Sequence, residues 1–188
     1  MPARSSLWEE AKFAVPPKSS SALEEAGIPY AIVGAIALNE YGYHRFTEDV
    51  DMLLTREGLS RFKQRWLGRG YLEVVSGGKG LRDTENNVRI DVLIAGEYPG
   101  DGKPKPIQFP DPAVSALVGE RIRVLPMEKA IELKLASGMS AVHRLNDLAD
   151  VLELIRAVRL PADFADRLDE SVRPKFVELW QAAQTSDP

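Results

Sequence analysis

The 188-residue sequence contains no cysteine, which excludes a disulfide framework, a thiolate-bound zinc and a cysteine nucleophile. Its two histidines, His44 and His143, lie far apart in the chain, so an imidazole metal cage is not expected; both read as solvated side chains. No apolar run approaches the roughly 20 residues of a membrane-spanning helix. Residues 1–10 lack the apolar stretch of a secretory signal. Positive charge is not in excess either. The net charge is −4 and the pI about 5.3, whereas general nucleic-acid binders carry a basic face and often a pI above about 9. These absences lead us to expect a cytoplasmic protein without a membrane partner.

Apolar residues make up 44% of the chain and charged residues 28%, enough for a real core under an ordinary surface. Helices are expected over 7–13, 18–26, 36–41 and 57–68. The first is signalled by Ser6 and Glu9 at capping-box spacing, the second by Gly27 as a stop. Strands are expected over 30–33, 49–54, 71–75, 88–95 and 121–125, with a turn at Gly77–Gly80. Five prolines and three glycines between Gly96 and Pro112 mark an extended loop. The rest reads as helix: 127–137, 141–158, and 162–183 with a break near Pro174. Trp8, Trp66 and Trp180 read as packing residues. This mixture predicts an α/β (α+β) fold, with a core over residues 1–118 and a helical C-terminal part over 119–188 packed on it.

The segment 49–54 carries the central chemical signal. On a strand, residues i and i+2 point to one face. Asp49 and Asp51 therefore project together, while Val50, Met52 and Leu54 face the other way. Two adjacent carboxylates repel each other, and a divalent cation with hard oxygen ligands removes the repulsion. A strand entered from solvent, with both acids simply hydrated, is the alternative. Asp91 adds a third carboxylate inside the apolar run Ile90–Ile94, where it needs a partner or a ligated ion. Three convergent acids on two strands suit a two-metal centre that stabilises both oxygens of an in-line displacement. An ion pair with Arg45, Arg82 or Arg89 is the other account of Asp91. Upstream, Val33-Gly34-Ala35 leaves a strand and enters a helix, where backbone N–H groups can meet an anion.

Gly34-Ala35 followed by Arg45-Phe46-Thr47-Glu48-Asp49-Val50-Asp51 resembles the signature of the DNA polymerase beta-type nucleotidyltransferases: a small-residue pair, then Asp-x-Asp on the next strand. The Arg-x-Thr-x-Asp-x-Asp form is most similar to the AbiEii-toxin-like branch of small bacterial nucleotidyltransferases. The resemblance implies a nucleotidyltransferase-type mixed sheet flanked by helices. It further implies Mg²⁺, or Mn²⁺ in its place, on Asp49, Asp51 and Asp91, and a nucleoside triphosphate bound near Gly34, Ala35, Arg45 and Thr47. The acceptor is a small molecule, a protein or tRNA; the toxin role would bring an antitoxin partner. Ala35 departs from the Gly or Ser of the signature, so its backbone N–H is kept but no hydroxyl is offered. A catalytically silent nucleotide-binding module is the alternative that this departure favours.

The helical half gives a second signal. On a wheel at about 100° per residue, Met127, Ala130, Ile131, Leu133 and Leu135 form an apolar arc, with Glu128, Lys129 and Glu132 opposite. Lys134 falls within the arc and needs an anion or a route to solvent. In the next helix Leu145, Leu148, Val151, Leu152 and Ile155 form the arc, Arg144 lies within it, Asp147 flanks it and Asp150 points outward. By resemblance, Lys134 meets the triphosphate and Arg144 and Asp147 complete the pocket. A buried Arg144–Asp147 pair with a structural role is the alternative.

Overall fold

The computed structural model of the chain describes residues 18–43, 47, 49–119 and 122–185. Helix α1 (Lys18–Glu25) ends before Gly27, which takes φ +60°, and strand β1 (Ala31–Val33) follows, fully buried. Val33 passes straight into α2 (Gly34–Glu40), with no loop residue between strand and helix. Strand β2 (Asp49–Leu54) leads to α3 (Arg56–Trp66), whose first turn is capped by Thr55: its hydroxyl accepts the Gly58 N–H at 2.9 Å. Strands β3 (Tyr71–Glu73), β4 (Leu81–Asp83) and β5 (Val88–Ile94) form an antiparallel meander. After the proline-rich loop come a single turn, α4 (Pro112–Ser115), and the hairpin β6 (Leu117–Val118) to β7 (Arg123–Val124). Helices α5 (Met127–Gly138), α6 (Leu145–Val158) and α7 (Arg173–Thr185) complete the described chain.

The strands form one sheet in the order β3-β4-β5-β2-β1-β7-β6. It is mixed, because β2–β5 and β1–β7 are parallel and the other pairs antiparallel. Alternation along β2 decides what each face carries. Val50, Met52 and Leu54 join the core beneath α1 and α3, with Phe62, Tyr71, Ile90 and Val92. Leu53 joins a second core on the opposite face, built with Ile131, Leu135, Val151, Leu154 and Phe176 from α5–α7. Asp49 and Asp51 share the Leu53 side, the side that the C-terminal helices cover.

Most expected elements occur within a residue or two of their predicted limits, and the differences have local causes. The helix expected over 141–158 begins as a 3₁₀ turn, Val142–Arg144, before α6. Leu145, at the start of α6, is exposed, and Asp150, expected on the outer side, is buried because the flank of α6 that carries it packs against Lys134 of α5. Arg144 lies on the exposed turn and not in the apolar arc. The helix expected over 162–183 breaks near Pro174, as expected, over residues 168–172. A 3₁₀ helix (Ala162–Arg167) ends, and α7 starts at Arg173 with Pro174 in its first turn, where no N–H partner is lost. Glu132, placed by the wheel on a polar face, is buried. It accepts the Asp169 N–H at 2.8 Å and pairs with Lys129 at 2.7 Å, because the chain between the last two helices packs over that side of α5. Trp180 packs as expected and donates its indole N–H to the Leu160 carbonyl at 2.8 Å. The expected helix over 7–13, with Trp8, and the loop residues His44 and Arg45 lie outside the described residues.

Candidate active site

Register brings the acids together. In the parallel β2–β5 pair Asp49 lies opposite Arg89 and Asp51 opposite Asp91, so all four side chains emerge on one face. On the other side of β2, Val33 of β1 pairs with Asp51, and Gly34 comes next. Gly34 has φ +67°, and a Cβ there would fall 2.0 Å from Asp51 Oδ2. The position thus admits only glycine on two counts, backbone conformation and contact with the carboxylate. Gly34→Ala is expected to cost about 1–2 kcal/mol through the backbone alone, and to push the Asp51 carboxylate from its seat. Urea denaturation checks the first effect; an unchanged midpoint would contradict it. Ala35 is buried at the start of α2.

The charges around Asp51 are unbalanced. Burial raises its pKa to about 6, Lys134 opposes the rise, and Asp91, Asp49 and Asp147 add to it. Asp91 is held by Arg89, whose Nε donates to Oδ1 at 2.9 Å, so the ion-pair account of Asp91 is realised through Arg89. Thr47 braces the strand entrance: the Asp49 N–H meets its hydroxyl oxygen at 3.3 Å.

Facing the sheet, Lys134 donates to Asp150 at 2.8 Å and to Asp147 at 3.1 Å, and the Ser137 hydroxyl donates to Asp147 at 2.6 Å. Burial alone would lower the Lys134 pKa, but the Asp147 and Asp150 carboxylates outweigh it and hold the lysine above its ordinary value. Asp147 is therefore anchored by Lys134 and Ser137, where a pair with Arg144 was the alternative.

Between sheet and helices lies a cavity of about 660 Å³. Gly34 and Asp51 line it from the sheet, and Lys134, Ser137, Arg144 and Asp147 from the helices. Asp49 and Asp91 flank Asp51 on the same sheet face without lining the cavity itself. A third wall is the loop from Gly96 to Gly102, and Lys79 enters from the β3–β4 turn. The loop is seated on α5. The Asp101 N–H donates to the Ser140 hydroxyl at 3.1 Å, and a Cβ on Gly100 would fall 2.1 Å from that oxygen. Sequence reading passed over this wall as a connector and over Gly77–Gly80 as a plain turn. Ile107 and Phe109, both buried, are the apolar residues by which the loop folds inward, and the Phe109 N–H bonds the Glu97 carbonyl at 2.9 Å.

The donor set suits a hard divalent cation in chemistry: three carboxylates on one sheet face, of which Asp51 is the desolvated one and the exposed Asp49 and half-exposed Asp91 add to its charge. Among the described residues, however, no group of three or more Asp, Glu or His side chains is gathered tightly enough to enclose a metal. With these acids alone a cation would have only part of its coordination shell, and the remainder would fall to substrate oxygens and water, as Mg²⁺ prefers.

No protein-family model matches the sequence, and no curated protein matches it. Among solved structures the chain is similar to ANT(2″)-Ia in a crystal structure of its complex with adenylyl-2″-tobramycin. The TM-score is 0.54 at 15% identity, covering 84% of this chain and 92% of that one. A solution structure of the antibiotic-resistance factor ANT(2″)-Ia aligns with a TM-score of 0.44 at 17% identity, covering 95% and 85%. The first likeness establishes the fold, a nucleotidyltransferase-type mixed sheet flanked by helices, in agreement with the sequence expectation. Among the described residues no helix is long and apolar enough to cross a membrane.

Proposed function

We propose that this protein transfers a nucleoside monophosphate from a nucleoside triphosphate to a hydroxyl acceptor. The observation that carries the reading is the pairing of Asp51 with Asp91 across parallel strands, beside Asp49, at a cavity closed by Lys134 and Arg144. Asp49, Asp51 and Asp91 would hold Mg²⁺ or Mn²⁺, which when bound neutralises charge on the triphosphate and on the reacting oxygens. Gly34 leaves room for the Asp51 carboxylate and, with Ala35, would offer backbone N–H groups to a phosphate. Arg45, with Thr47, belongs to the nucleotide side by its position in the motif. Arg144 meets phosphate from the helical wall, while Lys134, fixed by Asp147, supplies positive potential opposite Asp51. The acceptor hydroxyl gives its proton to Asp91 as its oxygen bonds to the α-phosphorus, and the bond to pyrophosphate breaks. Catalysis of this kind is positioning and charge neutralisation.

A cavity of about 660 Å³ suits a small hydroxylated acceptor better than tRNA or a protein. So does the likeness to ANT(2″)-Ia, whose crystal structure holds adenylyl-2″-tobramycin. Within the polymerase beta-type superfamily the Arg45-x-Thr47-x-Asp49-x-Asp51 motif keeps the AbiEii-like branch as our assignment. A toxin role with an antitoxin partner rests on that motif alone. One observation favours a second reading, a silent nucleotide-binding module: Asp91 is already neutralised by Arg89.

The test is incubation with α-labelled nucleoside triphosphates, Mg²⁺ or Mn²⁺, and a panel of polyhydroxylated small molecules. Pyrophosphate release and label transfer are expected, reduced at least about 100-fold in Asp49→Ala, the scale of losing one charge-stabilising group. Triphosphate binding without turnover would select the silent module. Absence of metal-dependent triphosphate binding would remove both readings.

A further inference from the structure

The cavity presents three cations, Lys79, Lys134 and Arg144, and they differ in how committed they are. Lys134 is 14% exposed and held by two carboxylates. Turning it toward a substrate phosphate would take the ammonium away from the Asp147 and Asp150 carboxylates in a desolvated setting, which is unfavourable. Lys79 is different. Its side chain is 48% exposed, and its partner is Glu97 on the loop wall. Glu97 is shared: Arg56 donates to its other oxygen at 3.0 Å. Glu97 therefore stays paired if Lys79 departs, and a partly exposed ion pair of this type contributes little to stability.

The backbone beneath Lys79 is fixed while its side chain is free to swing. Lys63 donates to the Gly78 carbonyl and pairs with Glu73 at 2.6 Å; the Gly77 N–H donates to Glu73 at 2.8 Å. The next residue, Gly80, lies against the acidic face, where a Cβ would stand 3.7 Å from Asp91 Oδ1. The turn thus brings a lysine, on a hydrogen-bonded base, to the carboxylate side of the cavity.

We propose that Lys79 is a substrate-binding residue that exchanges its pair with Glu97 for the phosphates of an incoming triphosphate. Glu97 is its resting partner and competes with the substrate. The assignment rests on the nucleotidyl-transfer reading and names the residue that grips the phosphates remote from the reacting one. It also reverses the expectation for Lys134, which becomes a positioning residue for Asp147 and Asp150.

The test is calorimetric titration of the full chain with ATP and, separately, with inorganic tripolyphosphate, both in Mg²⁺. Lys79→Met is expected to weaken both ligands about tenfold, equivalent to about 1.4 kcal/mol, with Lys79→Arg close to wild type. Glu97→Gln is expected to tighten both, since it frees Lys79; a merely structural pair would give the opposite sign. Thermal melts of each variant check that the fold is intact. Equal affinity in wild type and Lys79→Met, or weaker binding in Glu97→Gln, overturns the assignment of Lys79 alone. No binding of either probe by the wild type overturns it together with the nucleotidyl-transfer reading.

Discussion

Lys134→Met is expected to destabilise the protein by about 3–5 kcal/mol, the usual effect of stripping one partner from a buried charge cluster. Methionine fills much the same volume, so the loss is electrostatic and not a cavity effect. Without the ammonium, Asp147 and Asp150 stand close together on consecutive turns of α6, with Ser137 bonded to the former. Urea denaturation at neutral pH measures the drop. Adding Asp147→Asn and Asp150→Asn to the same chain is expected to recover most of it, because a neutral cluster no longer needs the cation. A loss below about 1 kcal/mol would mean that these charges are solvated.

Asp51→Asn is expected to act in the opposite direction on stability and to abolish transfer. Burial, with Asp91, Asp49 and Asp147 adding to it, raises the Asp51 pKa to about 6. Between its ordinary value near 4 and that value, the folded protein holds a proton that the unfolded chain has lost. Stability therefore falls as pH rises through this window, and by neutral pH the ionised carboxylate has cost roughly 2–3 kcal/mol. Asparagine removes the penalty. Its melting temperature should exceed that of the wild type at pH 7.5, and the gap should close toward pH 4. Mg²⁺ is expected to raise the wild-type melting temperature at neutral pH and leave the variant unmoved. A variant less stable than the wild type at pH 7.5 would show that Asp51 ionises without strain. Sites that trade stability for function are common.

These two residues also mark where sequence reading succeeds. The strand Asp49–Leu54 was legible residue by residue, because its alternation sorts acids from apolar residues on opposite faces. Lys134 was legible because a lysine inside an apolar arc needs an anion. The anion itself was not: Asp150 lies on the flank of α6 that meets Lys134, and a wheel drawn for α6 alone does not show where α5 packs. Glu132 was misread for a related reason, since a wheel shows one helix and not the chain that folds back over it. The partner of Asp91 could be narrowed to three arginines but not chosen, because the choice depends on where the side chains turn above a sheet. The cavity wall from Gly96 to Gly102 left almost no trace. Its contacts run through backbone, glycine and polar side chains such as Glu97 and Asp101, which carry no hydrophobic pattern.

The cavity is built across a seam in chain order. Its floor comes from strands that end by Ile94, and its roof from helices that begin at Met127. Neither side closes it alone. Contacts so distant in sequence form late in folding, after closure entropy has been met. A partly opened state, with α5 and α6 lifted while the sheet persists on its other core, would keep the three acids in register yet have no enclosed site. Amide hydrogen exchange in α5 and α6 would then report on the site's integrity more directly than exchange in the strands that carry the acids.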